Sequence, residues 1–251
     1  MTSAKFYSKM NYKVIKLVYL YSNNGNYEDY ASGRVIYGGR GLPNFPVRLL
    51  NEIFERTKLY LDKKFDLVVY DPCCGGGYSL TILGFFYSAI IKKLYGSDIN
   101  KDMIFHAKKN VSLLTHEGLQ TRKDELEALY RNYGKPSHNT AINSVEKLKN
   151  QLARSVQAEI FYADCTKKLP NINPDIIITD VPYGNLIQWK GDSSRPLELM
   201  LEQLANISQH KTILALSMDK KQKINTGAWI SLEKHIVGKR KFEILTNHFE
   251  P

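Results

Sequence analysis

The stretch VVYDPCCGGGYSL, residues 68–80, restricts this chain more than any other. Four apolar residues, Leu67 to Tyr70, read as a buried strand that ends at Asp71. Consecutive glycines then turn the chain sharply into a helix-like run through Leu80, Ile82, Leu83 and Phe86. Strand, glycine turn and helix are how open α/β sheets build nucleotide sites at the carboxyl ends of their strands. The spacing excludes the common alternatives. A dinucleotide fingerprint needs a third glycine at the helix, where Tyr78, Ser79 and Leu80 stand, and no G-x-x-x-x-G-K-[ST] phosphate loop exists.

Downstream of Leu67, strand and helix patterns alternate, which predicts an α/β fold with a mostly parallel, doubly wound sheet. KLYGSD, EIFYAD, DIIITD and TILALSM are the further strands, nearly continuous in apolar residues as buried parallel strands are. Helices are expected near 79–93, 102–115 and 196–208, and KHIVGKRKFEIL reads as a short antiparallel pair around Gly238. A helix begins at Pro46 and buries Val47, Leu50, Ile53, Phe54 and Leu61. Residues 1–45 form a basic, Tyr-rich N-terminal extension, and 46–251 form the main domain. Within that domain residues of about 117–157 exceed the minimal plan and read as a helical insertion broken at Gly134-Lys135-Pro136.

Four acids fall at equivalent places in this scheme: Asp71, Asp98, Asp164 and Asp180 each close a strand. One such acid is an ordinary turn former, but four along one edge line the ligand crevice. The D-P-x-x-G-x-G of Asp71, Pro72, Gly75 and Gly77 resembles the first motif of S-adenosylmethionine (SAM) methyltransferases. SAM has no phosphate to anchor, so glycines that let the backbone approach and carboxylates that meet its ammonium and hydroxyls suit it. Asp98 is placed for the ribose hydroxyls and Asp164 for the adenine amine, with Cys73 inside the same turn completing the cofactor set. TDVPYG, residues 179–184, resembles the (D/N)PPY turn of methyltransferases that act on planar nitrogen, with Val181 replacing the first proline. There Asp180 orients the target nitrogen or accepts its proton. Tyr183 stacks on a flipped base, and Pro182 and Gly184 shape the substrate side.

Composition adds the partner. Lys and Arg number 35 against 25 Asp and Glu, an excess that favours polyanions. The first 45 residues carry six Lys or Arg, two acids and seven tyrosines, and residues 218–251 carry seven Lys or Arg and four acids. Arg48 is a candidate for the methionyl carboxylate or an RNA phosphate, and Trp189 for a stacking surface. No apolar run is long enough to span a bilayer, no signal-like leader is evident, and three cysteines and six histidines show neither disulfide nor metal spacing. A cytoplasmic monomer that binds no metal and no membrane is expected.

Taken together, GGRGLPNFPVRLLNEIFERT, DPCCGGGYSLTILG, SDINKDMIFHAKKNVSLL, YGKPS and TDVPYG resemble the AviRa family, from about Gly38 to Trp189. These are ribosomal RNA methyltransferases that confer resistance to the orthosomycin avilamycin. The resemblance implies a Rossmann-like class I SAM-dependent fold, with SAM as donor. It further implies a guanine of 23S rRNA, free or in the large ribosomal subunit, as acceptor, with N1 favoured. Two alternatives stay open at this point. One is an N2-guanine or N6-adenine methyltransferase of RNA or DNA, or one acting on protein glutamine. The other is a non-catalytic basic RNA-binding protein on a SAM-binding fold.

Overall fold

Among the described residues, eight strands form one sheet in the order β1-β7-β8-β6-β5-β2-β3-β4. The computed structural model describes residues 15–39, 44–181, 189 and 194–247. In chain order the strands are β1 Ile15–Lys16, β2 Leu67–Asp71, β3 Ile91–Asp98, β4 Gln157–Tyr162, β5 Ile176–Asp180, β6 Ile213–Asp219, β7 Ile230–Val237 and β8 Arg240–Thr246. The helices are α1 Val47–Leu59, α2 Tyr78–Tyr87, α3 Lys101–Ser112, α4 His116–Tyr133, α5 Pro136–Gln151 and α6 Pro196–Ile207. Strands β4, β3, β2, β5 and β6 are mutually parallel. Of these eight strands β8 alone runs antiparallel, inserted between β6 and β7. The final pair is therefore longer than expected and built into the sheet, with Gly238 at φ 60 in its turn.

Helix ends follow local chemistry. Asn100 caps α3 by accepting from the Asp102 N–H, and Thr115 caps α4 by accepting from Gly118. Gly134, left-handed at φ 61, ends α4, and Pro136 opens α5. One expectation needs correction: the helix anticipated over 79–93 ends at Tyr87, and β3 begins at Ile91. The apolar run FFYSAII reads equally well as buried helix or buried strand, and only tertiary pairing with β2 and β4 resolves it.

The described part of residues 1–45 is woven into the domain. Leu17, Tyr30, Val35 and Ile36 belong to the main core together with Leu50, Phe54, Leu83 and Phe85. The helical insertion is the seat for that segment. Arg122 of α4 donates to the carbonyls of Arg34 and Val35, and Ser144 of α5 donates to Asp29. Tyr37 donates to Glu125, and Asn110 of α3 exchanges hydrogen bonds with the Tyr37 backbone. The same Asn110 amide also donates to the Gly76 carbonyl at 2.8 Å, so the N-terminal segment and the glycine turn share one brace.

Candidate active site

Three of the four acids are the last residues of parallel strands: Asp71 of β2, Asp98 of β3 and Asp180 of β5. Asp164 lies just past the end of β4. All four occupy the carboxyl edge of the sheet, where open α/β folds bind ligands.

The turn after β2 is held by hydrogen bonds that leave its outer face open. Cys74 N–H donates to the Ser97 carbonyl and Gly77 N–H to the Cys74 carbonyl. Gly75 N–H donates to Asp98 Oδ2 at 2.9 Å, while Asp98 Oδ1 accepts from Asn100 N–H at 2.8 Å. Each Asp98 oxygen thus takes one backbone donor, and a carboxylate oxygen has capacity for a second. Gly75 and Gly77 both have positive φ, 52° and 76°. A β-carbon on Gly77 would sit 2.9 Å from Ala107 Cα, so glycine here lets α3 approach the turn. A β-carbon on Gly75 would meet no heavy atom of the described residues within 4 Å, which leaves open space beside its backbone.

Asp71 is buried, and its Oδ1 accepts from the Cys73 N–H at 3.0 Å and from Thr179 Oγ1 at 2.8 Å. Burial pushes its pKa up to about 7, opposed by those two hydrogen bonds and reinforced by the charges of Asp98 and Asp180. A cationic ligand at this edge would draw it to the carboxylate form. At Asp164 burial raises the pKa, but hydrogen bonds from Thr166 and the Lys167 ammonium outweigh it and hold the carboxyl below its ordinary value. Cys73 is half-buried, with its Sγ 3.7 Å from Cys165 Sγ, and Cys74 packs in the main core. The Cys165 thiol and burial push the Cys73 thiol well up, which makes it an apolar wall and a poor nucleophile.

Beside the turn a small, water-sized cleft lies between α1 and the ends of β2, β5 and β6. Phe45, Leu50 and Ile53 form an apolar wall, and Asp71, Thr179, Asp180 and Ser217 supply the polar side. Parallel register places Asp180 beside Ser217 of β6, and Val181 N–H donates to the Ser217 carbonyl. Ser217 is 4% exposed and its Oγ has no hydrogen-bond partner among the described residues. Arg240, the first residue of β8, brings Nη2 to 3.6 Å from Asp180 Oδ2 and lies over the Phe45 ring at 5.3 Å.

Asp71, Asp98, Gly75, Gly77 and Cys73 therefore lie around one turn, with Asp180 across a shared cleft from Asp71. Pro182, Tyr183 and Gly184 lie outside the described residues. Two candidates have other contacts. Arg48 stacks on Tyr19 at 4.1 Å and reaches the Ser22 carbonyl and Asn24 at 3.4 Å, so it steadies the N-terminal segment. Trp189 is half-buried against the apolar cluster of Tyr70, Ile177 and Leu216. Sequence reading missed Thr179, Ser217 and Arg240. Thr179 stood inside the quoted motif, whereas Ser217 and Arg240 reach the cleft only through strand register.

Among the described residues no group of His, Cys, Asp or Glu is arranged to hold a metal ion. Among them, too, no helix is long and apolar enough to cross a membrane.

Comparison with known proteins gives one consistent result. The family model described as rRNA methyltransferase AviRa matches residues 17–240. The chain is 32% identical over 222 residues to the 23S rRNA (guanine(2535)-N(1))-methyltransferase of Streptomyces viridochromogenes, covering 84% of this chain and 88% of that protein. Two solved structures of rRNA methyltransferase AviRa from the same organism align with TM-scores of 0.81 and 0.80 at 29% and 30% identity, each covering 90% of this chain and 94% of the other. The sheet is accordingly that of a Rossmann-like class I SAM-dependent methyltransferase. With its glycine turn, its row of strand-end carboxylates and this match along most of its length, the chain belongs to the AviRa family of rRNA methyltransferases.

Proposed function

We propose that this protein transfers a methyl group from SAM to N1 of a guanine in 23S rRNA. The observation that carries the reading is the row of strand-end carboxylates, in which Asp180 closes β5 beside β2, the strand that bears the glycine turn. The relative's N1-guanine activity and the excess of basic residues support the substrate.

The residues of the turn suit SAM. The open, left-handed Gly75 offers backbone contact, Asp98 retains acceptor capacity for hydroxyls, and Asp71 is a buried acid that a neighbouring ammonium would ionise. Asp164, held as a carboxylate by Thr166 and Lys167, is an acceptor for the adenine amine. When bound, SAM supplies an electrophilic methyl group on a sulfonium. The protein's own part is positioning and proton management. Asp180 accepts from guanine N1–H and takes its proton, Tyr183 stacks on the base, and Pro182 and Gly184 contribute to the substrate side. Holding the acceptor nitrogen in line accounts for much of the rate by removing orientational entropy.

Nucleoside mass spectrometry of 23S rRNA incubated with the protein and SAM should show 1-methylguanosine. N2-methylguanosine would move the acceptor to the exocyclic amine, and a methyladenosine would refute the guanine assignment.

The cofactor side has its own test. Asp98→Ala removes a charged acceptor and also frees the Gly75 N–H, so calorimetry should show S-adenosylhomocysteine binding weakened by about 1–3 kcal/mol. Unchanged affinity would remove Asp98 from the cofactor site.

A further inference from the structure

Arg240 reaches the cleft from a strand that no glycine motif announces. It opens β8, whose antiparallel register pairs it with Asp219 at the carboxyl end of β6. Its guanidinium therefore arrives at the edge where β5 delivers Asp180, at 3.6 Å from that carboxylate, with its side chain 26% exposed. Phe45, part of the cleft wall, lies under the guanidinium. A permanent cation is thus held beside the group assigned to take the N1 proton. The buried Ser217 hydroxyl, which has no hydrogen-bond partner among the described residues, sits on β6 between β5 and β8.

The chemistry of guanine gives such a cation a task. N1 carries a proton, and its lone pair is delocalised toward O6. As the N1–C bond forms and the donor's C–S bond breaks, the N1 proton must pass to an acceptor, and negative charge accumulates on O6 while it does so. A carboxylate alone serves the proton but does nothing for the O6 charge. A preorganised guanidinium at O6 stabilises charge that exists mainly in the transition state, which is where binding accelerates a reaction.

We propose that Arg240 donates to O6 of the target guanine while Asp180 accepts the N1 proton, making Arg240 both a catalytic residue and a guanine-selecting one. Side by side, Asp180 and Arg240 present an acceptor next to a donor, which matches the N1–H and O6 edge of guanine. Adenine has the reverse order, an N1 acceptor beside an N6 donor, and would set its amine against the guanidinium. Ser217 supplies a further hydroxyl to the same edge. The inference rests on guanine N1 as the acceptor.

The test compares single-turnover methyl transfer, at saturating rRNA fragment and SAM, for wild type, Arg240→Gln and Arg240→Lys. Each acts on fragments carrying guanosine or 6-thioguanosine at the modified position. Sulfur is a weak hydrogen-bond acceptor, so the thio-substrate has little for Arg240 to lose. Arg240→Gln should slow transfer to guanosine about 100-fold, with S-adenosylhomocysteine affinity and thermal unfolding unchanged. The loss should fall below about tenfold on 6-thioguanosine, on the same electrostatic argument. Arg240→Lys should lie between, since it keeps charge without the planar fork. Equal losses on both bases, or near-wild-type transfer by Arg240→Gln, would overturn the O6 assignment alone. A wild-type product other than 1-methylguanosine would instead overturn the N1 reading on which it rests.

Discussion

Asp180→Asn should bind SAM and rRNA nearly as wild type does yet methylate at least about 100-fold more slowly, the usual scale for losing a general base. That corresponds to about 3 kcal/mol of transition-state stabilisation. The substitution keeps the side chain's shape at the end of β5 and leaves the Val181–Ser217 backbone bond in place. What it removes is the proposed acceptor for the N1 proton and the anion beside Arg240. Residual transfer by the variant should rise with pH, because solvent hydroxide can then take the proton that the substituted amide cannot. Single-turnover rates over a pH series, with cofactor affinity measured by calorimetry, check both statements. Near-wild-type turnover would remove Asp180 as the base.

The second large effect is on stability, at Glu52. This carboxylate is fully buried on α1. It accepts from the backbone N–H groups of Leu20, Tyr21 and Ser22 at 3.0, 2.8 and 2.9 Å, from Ser22 Oγ and from Arg56 Nε. Glu52→Ala leaves those donors and the Arg56 cation without it, so unfolding should cost about 3–5 kcal/mol less, the scale for breaking a buried pair from one side. Glu55→Gln, which weakens the half-exposed Glu55–Lys58 pair on the same helix and keeps an acceptor oxygen for Tyr87, should change stability by less than about 1 kcal/mol. Urea denaturation of the three proteins makes the comparison.

The pH dependence at Glu52 has a definite sign. Burial raises its pKa, but the backbone donors, Ser22 and Arg56 outweigh burial and hold it below its ordinary value of 4.5. A group depressed on folding stabilises fully above its unfolded pKa. The wild-type advantage over Glu52→Ala should therefore persist at neutral pH and shrink as pH falls below 4.5 toward the depressed value. Glu52 also fastens residues 20–22 to α1. Deleting residues 15–37 would take Leu17, Tyr30, Val35 and Ile36 out of the core, so folding and binding would fail together.

The amino-acid sequence by itself determined the parallel α/β architecture and the glycine turn with its row of strand-end acids. Strand and helix periods, the Gly75–Gly77 turn and the acids that close β2, β3 and β5 are local features, because each depends on the conformational limits and polarity of neighbouring residues. The same local character explains the misplaced end of α2, since an apolar run carries no period that separates buried helix from buried strand. Tertiary structure alone decided which distant residues stand beside Asp180. Ser217 stands beside Asp180 because β6 pairs with β5 in register, and Arg240 reaches the cleft because β8 is inserted antiparallel between β6 and β7. It also decided that the described part of the Tyr-rich N-terminal segment joins the core, seated on the α4 and α5 insertion, because Glu52 and Arg122 satisfy its backbone across long sequence separations. Register, strand order and the pairing of buried charges are long-range properties, fixed by which surfaces exclude water together rather than by any residue's neighbours in the chain.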